Sequence, residues 1–140
     1  MLSQTSKKFH YLDETDVLVI HAKIIDASGG SHGIRDIQLV RGALDRSKSA
    51  SFGKELFETV FEKAAAYFDS IAKNHPFVDG NKRTAFALSV RFLSLNGFDF
   101  DASNEEVERY VVEVIVKHHD ISEIGVWLKK NSKKVANKIK

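Results

Sequence analysis

The sequence predicts an all-α domain. Apolar residues recur at three- and four-residue spacing through most of the chain, and capping residues stand just ahead of several of those stripes. The one proline, Pro76, falls between the two strongest of them. These observations imply a single bundle of about six helices around a buried central helix, with a chemically loaded loop at that helix's N-terminus.

The first helix is expected after Leu12 with Asp13 as N-cap, since Val17, Leu18, Ile20, His21, Ile24 and Ile25 make one apolar side. Gly29 and Gly30 stop it, as glycines past a helix end commonly do. His21 lies on that apolar side and is expected as a hydrogen-bonded core residue. A second helix should begin near Ile34 to Asp36 and run through Ile37, Leu39, Val40 and Leu44, with Arg35 and Asp36 fixing its start. The stretch GGSHGIRD (29–36) has three glycines but follows no strand, so it makes a weak dinucleotide motif. Residues 47–53, SKSASFG, are expected as a loop.

The third helix is the clearest. From Glu55 onward, Phe57, Phe61, Ala64, Phe68 and Ile71 follow helical spacing, and the stripe lands on His75. Pro76 disfavours helical geometry at the residue before it and ends the helix there. A fourth helix should start near Asn81 and reach Leu95, with Ala85, Phe86, Leu88, Val90, Phe92 and Leu93 apolar almost all round. Such a helix belongs in the middle of a fold. Phe98 to Asp101 reads as a short extended piece. Ser103 with Glu106 is a capping-box pair that opens a helix toward His118. A short last helix around Glu123 to Lys130 would pack through Trp127 and Leu128.

The 140 residues suit one domain, and 43% apolar against 29% charged residues is an ordinary globular balance. No apolar run is long enough to span a membrane and the opening MLSQTSKKFHYL has no signal-like apolar region, so a cytoplasmic protein is expected. The absence of cysteine removes disulfides, thiol nucleophiles and cysteine-bound zinc from consideration. Six of the 21 basic residues fall in the last twelve, KKNSKKVANKIK; the remaining 15, against 19 acidic residues, leave the body near −4. A duplex-binding domain spreads cations over a folded face, so this placement argues against direct nucleic-acid binding. The expected division is a domain over residues 1–128 and a basic, disordered tail over 129–140.

The loop HPFVDGNKRT (75–84) carries the chemistry. A helix starting after Gly80 would present unpaired N–H groups and the positive end of its dipole, which suits an anion. Gly80 permits close backbone approach, Asn81 can donate an amide, and Lys82 and Arg83 supply a point charge and a forked cation. Asp79 beside a phosphate makes sense if Mg²⁺ lies between them, because that ion favours one or two carboxylates with phosphate oxygens. His75 stands where an imidazole could take a proton from an attacking hydroxyl. A phosphoryl- or nucleotidyl-transfer site is implied. The loop is not a Walker A sequence, since it lacks that motif's first glycine ahead of the lysine. His118, His119 and Asp120 suggest an HD-type metal site only if further ligands such as His21 or His32 join them; a helix end stabilised by imidazoles is simpler.

HPFVDGNKRT resembles the signature of the Fic superfamily, and within it the chain is similar to the Doc (death-on-curing) branch. VLVIHAKIIDASGGSHGIRDIQLVRGAL and FEKAAAYFDSIAKNHPFVDGNKRTAFALSVRFLSLNGF extend the likeness over most of residues 10 to 125. The resemblance implies His75 as catalytic base, Asp79 as metal-binding acid, and Gly80, Asn81, Lys82 and Arg83 as holders of nucleotide phosphates. It also implies Mg²⁺ with ATP as co-substrate. AMP-transferring members usually carry glycine in place of Lys82 and a second arginine in place of Phe86. The lysine form goes with an inverted nucleotide and transfer of the γ-phosphate. The implied activity is a protein kinase acting on a Ser or Thr hydroxyl, with elongation factor Tu as target type, and AMP transfer or a catalytically silent binding module as alternatives. Such proteins are toxins of toxin–antitoxin pairs, held by a Phd-like antitoxin in trans. The inhibitory helix found in many Fic enzymes has no full counterpart here, because Leu56 breaks the nearest match, Ser51 to Glu55.

Overall fold

The computed structural model describes residues 8–135. Six helices run in the order α1 (Glu14–Ser28), α2 (Ile37–Arg46), α3 (Val60–Asn74), α4 (Asn81–Leu95), α5 (Asn104–Lys117) and α6 (Ile121–Lys130). Two small antiparallel pairs join them: β1 (Ala50–Ser51) with β2 (Lys54–Glu55), and β3 (Phe98–Phe100) with β4 (Ser132–Lys134). The all-α class expected from the stripes is the class observed. No helix among the described residues is long and apolar enough to cross a membrane.

Local capping fixes most helix starts. Asp13 accepts from the Asp16 N–H at 2.8 Å while the Asp16 side chain accepts from the Asp13 N–H at 2.9 Å, and Ser103 with Glu106 repeats the reciprocal arrangement. Each such box satisfies donors that a helix start otherwise leaves unpaired. Asp36 caps α2 through Gln38 N–H at 2.9 Å. The expected start of α3 at Glu55 is corrected: Thr59 is the N-cap, boxed with Glu62, so Phe57 stands ahead of the helix. The segment 47–53 is likewise more ordered than a plain loop. Its second half forms β1 and the turn of a hairpin, with Phe52 and Gly53 at φ 52° and 77° and Phe52 fully exposed at the tip. Lys63, buried in α3, anchors that hairpin through Glu55 at 2.5 Å and the Ser47 carbonyl at 2.9 Å.

Burial is unequal in the central pair. Every residue of α3 from Lys63 to Ala72 is buried, a face-independent burial that marks the hub of the bundle. The expectation that α4 fills this role is refined. Ala85, Leu88, Phe92 and Leu93 are buried against α3, but Phe86, Ala87 and Val90 keep a half-buried flank and Arg91 is exposed. Phe86 packs edge-on to Phe100 at 5.2 Å, and Trp127 stacks on Tyr110 at 3.9 Å, so α4, β3, α5 and α6 share one aromatic layer.

The expected tail boundary at 129 also moves. Lys129 and Lys130 close α6, where cations suit the helix C-terminus. Ser132–Lys134 then pairs with β3, matching Phe98 to Lys134 and Phe100 to Ser132, and Val135 N–H reaches the Gly97 carbonyl at 2.9 Å. The backbone makes this strand; its lysines are exposed, as edge strands favour. Residues 136–140 lie outside the described residues.

Candidate active site

The loop 75–80 is built by its backbone. His75 ends α3 in the left-handed region (φ 52°, ψ 61°), its N–H bonded to the Ile71 carbonyl at 3.2 Å. Pro76 and Phe77 are buried beneath it. Asn81, at the first position of α4, folds its amide back on Phe77, accepting from its N–H and donating to its carbonyl, both at 2.9 Å. The side chain expected to meet phosphate therefore closes the loop, and what Asn81 offers an anion is its backbone. His21 donates from Nε2 to the Asp79 carbonyl at 2.8 Å and stacks on the Phe77 ring at 3.8 Å, the hydrogen-bonded core role expected of it. Because a carbonyl can only accept, that nitrogen carries the proton.

Gly80 is the N-cap of α4 in the left-handed region, at φ 77°. A Cβ there would stand 2.9 Å from Ile25 Cδ1. Its N–H is taken by Asp79 Oδ1 at 2.8 Å, so Gly80 contributes conformation rather than a free donor. No side chain caps α4 and no acid stands in its first turn. The start of α4 is thus left without a side-chain partner, where the sequence led us to expect an anion.

Asp79 is shaped from a distant segment. Its Oδ2 accepts from Ser31 N–H at 3.1 Å, and a Cβ on Gly30 would meet that oxygen at 2.6 Å. The Ser31 and Gly80 N–H groups, with help from Arg83 and His21, hold its carboxyl below the usual carboxylate range. Arg83 lies 4.0 Å from Asp79 Oδ1 and folds onto the end of α1, donating to Ser28 Oγ and to the Gly29 carbonyl. Lys82 is exposed and makes no ion pair among the described residues.

His75, Val78, Asp79, Gly80, Asn81, Lys82 and Arg83 line one cleft of about 240 Å³. The six residues that the loop offered as site residues, His75, Asp79, Gly80, Asn81, Lys82 and Arg83, thus all line it. The ring of His75 is exposed and makes no hydrogen bond among the described residues. Asp79 keeps lone pairs beyond its two backbone bonds, a donor set that fits one Mg²⁺ shared with phosphate oxygens. The HD-type alternative does not form. Asp120 is occupied as the N-cap of α6, His119 lies between Tyr110 Oη at 3.2 Å and Glu113 at 3.4 Å, and the described residues hold no cluster of three metal ligands. Ser51 to Glu55, the nearest match to an inhibitory helix, is the β1–β2 hairpin instead.

Reasoning from sequence missed the segment 30–36. Arg35 does not merely start α2: it donates from Nε to the His75 carbonyl and from Nη2 to the Asn74 carbonyl, both at 2.7 Å. The glycines of that stretch were its one visible signal.

The chain matches the Fic/DOC family over residues 11–93, and it belongs to that family. Among curated proteins it is similar to a "Toxin Doc" of Mycolicibacterium smegmatis, 37% identical over 122 residues, covering 84% of this chain and 90% of the relative. It is also similar to "Protein kinase doc" of Escherichia phage P1, 29% identical over 87 residues, covering 62% and 68%.

Proposed function

We propose that this chain is a Doc-type toxin that moves the γ-phosphate of ATP onto a Ser or Thr hydroxyl of a protein target of the elongation factor Tu type. The observation that carries the reading is the convergence of His75, Asp79, Lys82 and Arg83 on one cleft at an uncapped helix start. The relatives' names support it, one being a toxin and one a protein kinase.

In the proposed reaction the target oxygen forms a bond to the γ-phosphorus and the bond to the β,γ-bridging oxygen breaks, so ADP leaves. The hydroxyl proton passes to the free ring of His75. The α4 N–H groups and Lys82 meet the phosphate charge, and Arg83 swings from the α1 terminus to grip phosphate oxygens in a fork. Asp79, its carboxylate oriented by its two backbone donors, would hold Mg²⁺, which when bound neutralises phosphate charge and orients the nucleotide. A left-handed His75 projects its ring from a rigid helix end, so the base is placed before substrate arrives. Inhibition belongs to an antitoxin in trans, a reading supported by the hairpin fold of the stretch that would otherwise supply an inhibitory helix.

The test is to incubate the purified protein with cell lysate and Mg·ATP labelled separately at the α and γ positions. The γ label should appear on one dominant protein and the α label on none. Labelling from the α position would replace this reading with AMP transfer, and no labelling from either would make the chain a binding module.

A further inference from the structure

The segment joining α1 to α2 braces the loop that carries His75. Arg35 reaches the Asn74 and His75 carbonyls with its guanidinium, and the Arg35 and Asp36 N–H groups both donate to the Pro76 carbonyl, at 2.7 and 3.0 Å. Three successive carbonyls are therefore held from two adjacent residues. Val78 N–H to the Gly33 carbonyl at 3.0 Å and Ser31 N–H to Asp79 extend the clamp along the loop.

We propose that Arg35 is a positioning residue for the His75 imidazole, an inference that rests on His75 being the base. The two torsions flanking the His75 Cα are pinned from opposite sides. The N–H bond to Ile71 fixes φ, and the guanidinium bond to its carbonyl fixes ψ. With both set, the direction of the Cα–Cβ bond is set, and with it the point from which the ring meets a hydroxyl. A left-handed histidine carries the cost of crowding its Cβ against the following carbonyl, and the guanidinium bond to the His75 carbonyl offsets part of it. The planar fork spans two carbonyls at once, which a lysine ammonium on a flexible stem cannot reproduce. Arg35 is itself exposed, so its removal opens no cavity in the core.

Arg35→Ala and Arg35→Lys should each lower kcat for transfer by about ten- to a hundredfold, the cost of a base displaced by a fraction of an ångström to an ångström. The Kd for Mg·ATP should stay within about twofold, because the phosphate-facing groups are not held by Arg35. Arg41→Ala, which removes another exposed arginine with its own 2.7 Å bond to Glu14, should leave turnover unchanged. Independently of activity, ¹⁵N relaxation should show the His75 amide loosened in the Arg35 variants while the Gly80 to Arg83 amides keep their order. The inference is overturned if turnover is unaffected, if Mg·ATP affinity falls in step with turnover, or if the His75 amide is undisturbed. Should the wild-type chain transfer no label at all, the proposed function fails on its own, and the relaxation and nucleotide-affinity measurements still decide the role of Arg35.

Discussion

α3 and α5 both end on a histidine in the left-handed region, His75 at φ 52° and His118 at φ 55°, and each closes its N–H on a carbonyl four residues back. The two chains of residues beyond these histidines differ. After His118, Asp120 caps α6 and boxes with Glu123, so an acid answers the helix dipole and the first donors are satisfied internally. After His75, α4 begins on a bare glycine with two cations in its first turn. Five of the six helices among the described residues have a side-chain cap, and the one that lacks it carries charge of the wrong sign for its dipole. A junction built for stability would resemble the α5–α6 turn; the α3–α4 turn forgoes that gain where an anion could supply it.

The sharpest way to break this contrast is to remove the two imidazoles in turn. His75→Ala should lower transfer by about a hundredfold to ten-thousandfold, the range that a positioned base contributes. The ring is exposed, so thermal stability should stay close to wild type. His118→Ala removes the same atoms from the same backbone conformation and should leave transfer intact. Equal loss in both variants, read with γ-labelled ATP and a purified target, would mean that the contrast has no functional content.

Next in size is an exchange of capping effects. Gly80→Ala forces a Cβ into the left-handed region beside Ile25, costing about 1–2 kcal/mol of stability. It should weaken Mg·ATP binding as well, because the start of α4 must shift. Asp120→Ala should cost about 1 kcal/mol, the usual loss of an N-cap, with nucleotide binding unchanged. Chemical denaturation and calorimetric titration of both variants separate the two cases. A Gly80→Ala protein that binds nucleotide normally would remove the argument for an anion-directed helix start.

The sequence revealed these junctions unevenly. Asp13, Asp36, Ser103 and Glu106 mark their helix starts because a cap acts on N–H groups two or three residues away, a range that local sequence displays. Thr59 with Glu62 is as local a signal, but the phenylalanine stripe runs on through Phe57 and masks it. The β1–β2 hairpin shows no alternation, since only two residue pairs make it, and β4 is held by backbone pairing with β3 rather than by an apolar pattern of its own. The cleft residues lie within ten positions of one another and could be read as a group. Arg35 and Ser31, 40 and 48 residues from their partners in the loop, could not, because only folding brings them there.

The smallest effect separates the junctions by pH. The Ser31 and Gly80 N–H groups hold the Asp79 carboxyl below its ordinary value, so the stability it adds is present above an ordinary carboxylate pKa of about 4. That contribution is lost as pH falls through the lowered folded value. Burial, followed by Glu113, Glu123 and Asp120, pushes the Tyr110 phenol at the α5–α6 junction up to about 12. Its contribution is therefore complete below the unfolded value of about 10 and is lost as pH rises toward 12. Denaturation midpoints taken from about pH 2 to 5 and from about 9 to 12 should respond to different substitutions. Asp79→Asn should flatten the acid limb alone and Tyr110→Phe the alkaline limb alone. If Asp79→Asn left the acid limb unchanged, the Ser31 and Gly80 N–H groups would not be stabilising a carboxylate, and the two junctions would not differ in how they titrate.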